Sequence, residues 1–268
     1  MGNEKAFSPI ILLGYQRSGT TALSFSLSKA FSENGGIFTI NGKLMYYLKR
    51  WLNKEDLYYR HLRVDEILYS IKRKMPYGEG IEEWCNSLET VLREAAIEVA
   101  DGKYKDTISL SRSIINKCYR NFYRWGDKYN EYLHDISYLE KTIPNAKYIL
   151  LYRNPYEVAM SVSEWKGDRP WRPSNREKNL EKWATWHNEI IPLLKTSSPN
   201  RYIVINYSNL CSGNATAKLS DFVELELKPY LQNLKTVREP IYKYDFPPVV
   251  NQVWKDLVNL ENQLITTN

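Results

Sequence analysis

At 268 residues, 43% of them hydrophobic, the chain has the length and apolar content for one large α/β domain with a full core. Its 37 Lys and Arg against 31 Asp and Glu leave a net charge of +6 with no dense basic tract. That balance favours an anionic small ligand and excludes the pattern of a nucleic-acid binder. Three cysteines, Cys85, Cys118 and Cys211, lack disulfide or metal-site spacing and read as reduced thiols. The apolar run near the N-terminus is too short for a signal peptide or a membrane span, so a cytoplasmic chain with no membrane partner is expected.

Residues 8–15 (SPIILLGY) form a continuous apolar run ending near a glycine, as a buried parallel strand requires. From Thr20 onward Leu23, Leu27, Ala30 and Phe31 recur at helical spacing, and Gly35-Gly36 supplies a stop. A short strand at GIFTI, an aromatic and basic stretch, and a helix over residues 81–100 follow. The region 41–127 is expected to be mainly helical, on the acceptor side of a single domain over 1–268. Residues 147–153 (KYILLYR) predict a second buried strand, then Asn154 as a helix cap and Pro155 at the first helical position. Val158, Val162 and Trp165 mark the core face of that helix. A polar loop over 166–176, a helix near 180–194, a strand at RYIVINY (201–207), and helices near 215–225 and 249–264 complete the chain. Alternating strands and helices predict an α/β, three-layer P-loop-type fold with a central parallel sheet flanked by helices.

Within GYQRSGTT the frame is that of a phosphate loop, but Thr20 stands where nucleoside-triphosphate enzymes place a lysine. Backbone N–H groups and the helix dipole still favour an anion, with Thr20 and Thr21 adding hydroxyls and Arg17 a cation. The second strand ends in Arg153, where a magnesium enzyme needs an Asp, and an arginine there invites another anionic group. Ser161 lies about two helical turns beyond the Asn154 cap, so Arg153 and Ser161 can share one phosphate as fork and hydroxyl.

The pair GYQRSGTT and RNPYEVAMS resembles the sulfotransferases that use 3′-phosphoadenosine 5′-phosphosulfate (PAPS), as do WGDK with TIPNAKYILLYRNP, in the bacterial manner, and INYSNL. The resemblance implies a soluble transferase with no metal, PAPS as donor and 3′-phosphoadenosine 5′-phosphate (PAP) as product. It implies that Arg17, Ser18, Gly19, Thr20, Thr21 and Ala22 bind the 5′-phosphosulfate and Arg153 with Ser161 the 3′-phosphate. It also implies a nucleotide contact for Tyr207, which borders the adenine or fills the core, and for Arg238.

The same resemblance gives Arg17 and Lys128 the developing charge on the leaving oxygen. Asn130 stands where the family often has a histidine base. Two candidates then remain for the base: His134 oriented by Glu131 three residues before it, or Glu131 alone. His187 beside Trp186 reads as packing. The acceptor is expected to be a small molecule carrying a hydroxyl or an amine. The competing classes are a P-loop kinase or NTPase and a non-catalytic nucleotide-binding protein.

Overall fold

The computed structural model describes residues 7–165, 173, 175–198, 200–235 and 245–263. In chain order the first elements are β1 (Ile10–Leu13), α1 (Thr20–Ser32), β2 (Ile37–Ile40), α2 (Leu44–Trp51), α3 (Lys54–Tyr58), α4 (Val64–Lys72), α5 (Ile81–Ala100) and α6 (Thr107–Tyr119). Then come β3 (Trp125–Lys128), a 3₁₀ turn (Asn130–His134), α7 (Ile136–Thr142), β4 (Lys147–Tyr152), α8 (Pro155–Ser163) and α9 (Arg176–Thr196). The last are β5 (Tyr202–Asn206), α10 (Tyr207–Cys211), α11 (Thr216–Val223), α12 (Lys228–Leu231) and α13 (Pro248–Gln263). The strands form a central parallel sheet in the order β2-β3-β1-β4-β5, flanked by helices, which is the fold expected from the sequence. Two compact units make up the chain: residues 1–11 with 27–146, and residues 12–26 with 147–268.

The first unit contains β2, β3 and helices α2 to α7. Strand β3 was not expected from its four residues. It pairs in parallel with β2, from Ile37 opposite Trp125 to Ile40 opposite Lys128. Some aromatic residues of this region, which carries no motif, join the aliphatic core of its helices. Trp84 on α5 lies 5.8 Å from Tyr119 on α6, and Tyr119 stacks on Trp125 of β3 at 4.0 Å. Asp106 caps α6 by accepting from the N–H groups of Ile108 and Ser109, which satisfies two of the helix's unbonded donors. The 3₁₀ turn ends at His134, and α7 begins after Asp135, with Leu133, Ile136 and Leu139 buried.

In the second unit β4 and β5 pair in parallel, from Tyr148 opposite Tyr202 to Tyr152 opposite Asn206. Asn154 caps α8 as expected, its Oδ1 accepting from Tyr156 N at 2.9 Å, with Pro155 next in line. Helix α9 runs longer than its apolar spacing suggests because Asn175 caps it through Lys178 N. Trp165 departs from expectation. Helix α8 ends at Ser163, and the turn that follows leaves the indole partly exposed rather than in the core.

Helix α13 packs against α9 and β5 and inserts one carboxylate, Glu261, at the ends of β4 and β5. That carboxylate accepts from Tyr152 Oη at 2.6 Å, Asn206 N at 2.9 Å and Asn209 Nδ2 at 2.9 Å. Its removal strands the buried Tyr152 hydroxyl, at a cost of about 1–3 kcal/mol, and the half-buried Asn206 N–H at less. Glu261→Leu is therefore expected to lower the melting temperature by about 4–10 °C in thermal denaturation followed by circular dichroism.

Candidate active site

The loop between β1 and α1 is built from backbone that only certain residues tolerate. A Cβ on Gly14 would lie 2.6 Å from the Leu151 carbonyl of β4 and 2.5 Å from Thr20 Cγ2, so the chain passes β4 only without a side chain. Tyr15 is buried edge-on against Trp186 at 5.1 Å, and its carbonyl accepts from Ser18 N. Arg17 then adopts φ 68° and Gly19 φ 93°, both left-handed. This alternation turns Arg17 outward while Ser18 and Thr20 stay buried. A Cβ on Gly19 would sit 2.2 Å from Tyr207 Cε2.

Helix α1 starts at Thr20, with no acidic residue in its first turn to compete for the N–H groups that begin it. These groups, the dipole and the Thr21 hydroxyl make an anion cradle that needs no lysine at position 20. The Ser18 hydroxyl, fully buried beneath the loop, has no hydrogen-bond partner among the described residues. The cradle's chemistry fits a single phosphate or sulfate group.

Arg17 donates from Nε to Ser161 Oγ at 2.9 Å, and its guanidinium lies 4.4 Å over the Trp165 ring. The sequence pairs Ser161 with Arg153. In the structure Ser161 meets Arg17, and Arg153 is held by Glu157, Nε to Oε2 at 2.7 Å, in an ion pair with both side chains nearly buried. Arg153 also lies 5.2 Å over the Tyr207 ring. A guanidinium offers five N–H donors in a planar fork, so one bond to Glu157 orients Arg153 and leaves the rest of the fork for an anion. Tyr207, only 6% exposed, is occupied by Gly19 and Arg153 and supports the loop from beneath. Burial, with Cys211 adding to it, pushes its phenol up to about 12. Arg238 and most of the 166–176 loop lie outside the described residues.

In the first unit, Lys128 ends β3 almost fully buried, its Nζ donating to Asn130 Oδ1 at 2.9 Å and Asn41 Oδ1 at 3.3 Å. Burial lowers its pKa to about 8, against the pull of Glu131 and Asp127. Asp127, wholly buried, accepts from Lys128 N at 2.8 Å, Gly42 N at 3.2 Å and Tyr132 Oη at 2.6 Å. It thereby ties the turn after β2 to the end of β3. Desolvation raises its carboxyl above the usual range, and those hydrogen bonds oppose the shift. Glu131 belongs to this group, since Lys43, Lys128 and Tyr129 all feel its charge. His134 is exposed at the far end of the 3₁₀ turn.

His187 is fully buried, with Nδ1 2.7 Å from the Trp183 carbonyl, and burial lowers its pKa to about 4. It is a neutral packing residue. His61 is exposed. Sequence reasoning missed Glu157, although its position four residues after Arg153 on a capped helix was a usable signal. It also missed Trp165 as a platform and Asp127 as an anchor, for which no local signal existed.

An anion cradle at the start of a helix, with an arginine in the loop and another closing the neighbouring strand, is the arrangement of a P-loop-type fold. The model of the sulfotransferase family matches residues 9–229, and the chain belongs to that family. Its fold is similar to the sulfotransferase domain of the olefin synthase from Synechococcus PCC 7002, at TM-score 0.56 and 18% identity over 100% of this chain and 98% of that one. The sulfotransferase domain of the curacin biosynthetic pathway matches at TM-score 0.56 and 16% identity, over 95% and 99% of the two chains. Sulfotransferase STF1 from Mycobacterium tuberculosis H37Rv matches at TM-score 0.50 and 15% identity, over 95% and 77%. No curated protein matches the sequence. Among the described residues, no helix is long and apolar enough to cross a membrane.

The loop geometry makes Gly19 a sensitive position, and Gly213 supplies a control. Both have positive φ, but a Cβ on Gly213 meets nothing within 4 Å. Gly213→Ala should cost only the left-handed penalty of about 1 kcal/mol. Gly19→Ala adds overlap with Tyr207 and should cost about 1–3 kcal/mol more, read from chemical denaturation.

Proposed function

We propose that this sulfotransferase transfers the sulfuryl group of PAPS to a hydroxyl or amine of a small-molecule acceptor, releasing PAP. The observation that carries the reading is the Arg17–Ser161 hydrogen bond, which joins the two phosphate motifs of the sequence in one unit. The α1 N-terminus, with Ser18, Thr20, Thr21 and Ala22 around it, takes the 5′-phosphosulfate. Ser161 and the oriented fork of Arg153 take the 3′-phosphate. Cytoplasmic location is part of the same proposal.

Transfer breaks the bond between sulfur and the bridging oxygen of the nucleotide and forms one between sulfur and the acceptor atom, whose proton must leave. Negative charge grows on the bridging oxygen. Arg17, exposed at the loop and braced by Trp165, is the cation for that charge, and Lys128 the second. Glu131 is the better base of the two candidates, because it sits in the electrostatic neighbourhood of Lys128 while His134 is exposed at the turn's end.

Two measurements test this. Calorimetry without metal should detect PAP binding that weakens in Ser161→Ala, and Arg17→Ala should lower kcat by about 10²–10³ with the PAP-competitive donor still bound. Binding of ATP with magnesium and none of PAP would favour a kinase. Bound PAP with turnover indifferent to Arg17→Ala would favour a non-catalytic nucleotide binder. The second measurement is a pH profile. The Lys128 ammonium, the form that can face an oxyanion, is lost as pH rises through about 8, so kcat/KM should fall above that value. Lys128→Arg, which stays charged, should move the descending limb to higher pH.

A further inference from the structure

Lys128 carries the second cation of the transfer reading, and the way its ammonium is held is unusual for a buried charge. Among the described residues, Nζ donates to two carboxamide oxygens, Asn130 Oδ1 at 2.9 Å and Asn41 Oδ1 at 3.3 Å, and to no carboxylate. Asp127, next to it in sequence, is committed elsewhere: its oxygens accept from Lys128 N, Gly42 N and Tyr132 Oη. The charged groups that act on the ammonium are Glu131 and Asp127, which favour it, and Lys74, which opposes it. An ammonium has three N–H donors, so two fixed oxygens set the direction of the third. Neutral acceptors do this without cancelling the charge, as a carboxylate in either place would.

Asn41 is bound to Lys128 twice. Besides the side-chain contact, its own N–H donates to the Lys128 carbonyl at 2.7 Å, one residue past the pairing of Ile40 with Lys128 that ends β2 and β3. It does so at φ 58°, in the left-handed region, and Lys43 two residues on is left-handed at φ 60°. Between them a Cβ on Gly42 would lie 2.8 Å from Asp127 Oδ1 and from Thr39 Oγ1. Two left-handed residues other than glycine within three positions are strained backbone, which a glycine at 41 would relieve. The turn alone therefore asks for glycine. What asparagine adds there is the oxygen on the Lys128 ammonium.

We infer that Asn41 is a positioning residue for transfer: with Asn130 it forms an uncharged clamp that aims the Lys128 ammonium and leaves it its full charge. Asn130, standing where the family often has a histidine, then serves the lysine rather than the acceptor. The clamp stands on the contacts above; that its lysine meets the leaving oxygen rests on the PAPS reading.

Asn41→Gly and Asn41→Asp separate the clamp from the turn, since both residues accept left-handed backbone. Lys128 is followed by NMR in the full chain carrying isotope-labelled lysine, its signal identified by its loss in Lys128→Arg. Asn41→Gly should lower the pH at which Lys128 titrates, because the ammonium loses an acceptor, and Asn41→Asp should raise it. The melting temperature of Asn41→Gly should change by less than about 4 °C, since the backbone bond to the Lys128 carbonyl persists. Hydrolysis of PAPS supplies a rate that needs no acceptor: water takes the sulfuryl group, and PAP, sulfate and the two protons of that water are released. Asn41→Gly should slow it about tenfold with PAP affinity unchanged. Should Asn41→Gly not fold, Asn130→Ala carries the same requirements of a lowered titration and a slower rate. A Lys128 titration that is unchanged or moves the same way in both variants, or PAPS hydrolysed by Asn41→Gly at the wild-type rate, would overturn the clamp. Opposite shifts in a protein that neither binds PAP nor hydrolyses PAPS would keep the clamp and remove the donor reading instead.

Discussion

The approach of the loop backbone to β4 and to Tyr207 is the constraint on which the anion site depends. Gly14 passes the Leu151 carbonyl and Gly19 rests on the Tyr207 ring, and no other residue type fits either place. With those contacts made, the φ values of Arg17 and Gly19 follow, and so does the outward turn of the Arg17 side chain. A left-handed arginine is an unusual expense for a chain, of order 1–2 kcal/mol. The surrounding packing of Tyr15, Tyr207 and β4 over-determines the loop enough to offset it.

Electrostatics in the second unit are arranged around that backbone. A buried arginine without a counter-charge would be costly, and Arg153 has Glu157, in the first turn of α8, to balance it. Balance matters when the site is empty, because two uncompensated guanidinium groups beside a helix N-terminus would repel each other and the dipole. Stacking on Trp165 and Tyr207 lets both planar cations stay near low-dielectric surface without full desolvation. The result is a positive site that is stable before any anion arrives.

How much of this was legible in the sequence depends on how local each signal is. The β1 loop and α1 could be read because an apolar run, two glycines and a helical stripe lie within two dozen residues. The β4 to α8 step was equally readable from Arg153, Asn154 and Pro155. Strand β3 was not, since Gly126 and Asp127 are poor strand formers, and Asp127 is tolerated there only through donors from Lys128, Gly42 and Tyr132. Trp165 was misplaced because a helical period was carried two residues past the C-cap at Glu164. The meeting of Arg17 with Ser161 spans 144 positions of sequence, and no spacing rule reaches that far.

The middle third shows why motif-poor sequence can still be informative once folded. Its aromatic residues divide into two populations that composition cannot separate. Trp84 and Tyr119 are buried and stack toward Trp125, so they serve the core. Tyr46, Tyr47 and Tyr129 keep exposed surface, with the Tyr46 ring edge-on to the other two. The first group joins the aliphatic core of helices α2, α4, α5 and α6, in which Leu48, Ile71, Leu92 and Ile114 are fully buried. Beside the second, the ammonium groups of Lys43 and Lys128 are desolvated, and that cost is offset by hydrogen bonds from Lys43 to the Lys74 carbonyl and from Lys128 to Asn41 and Asn130.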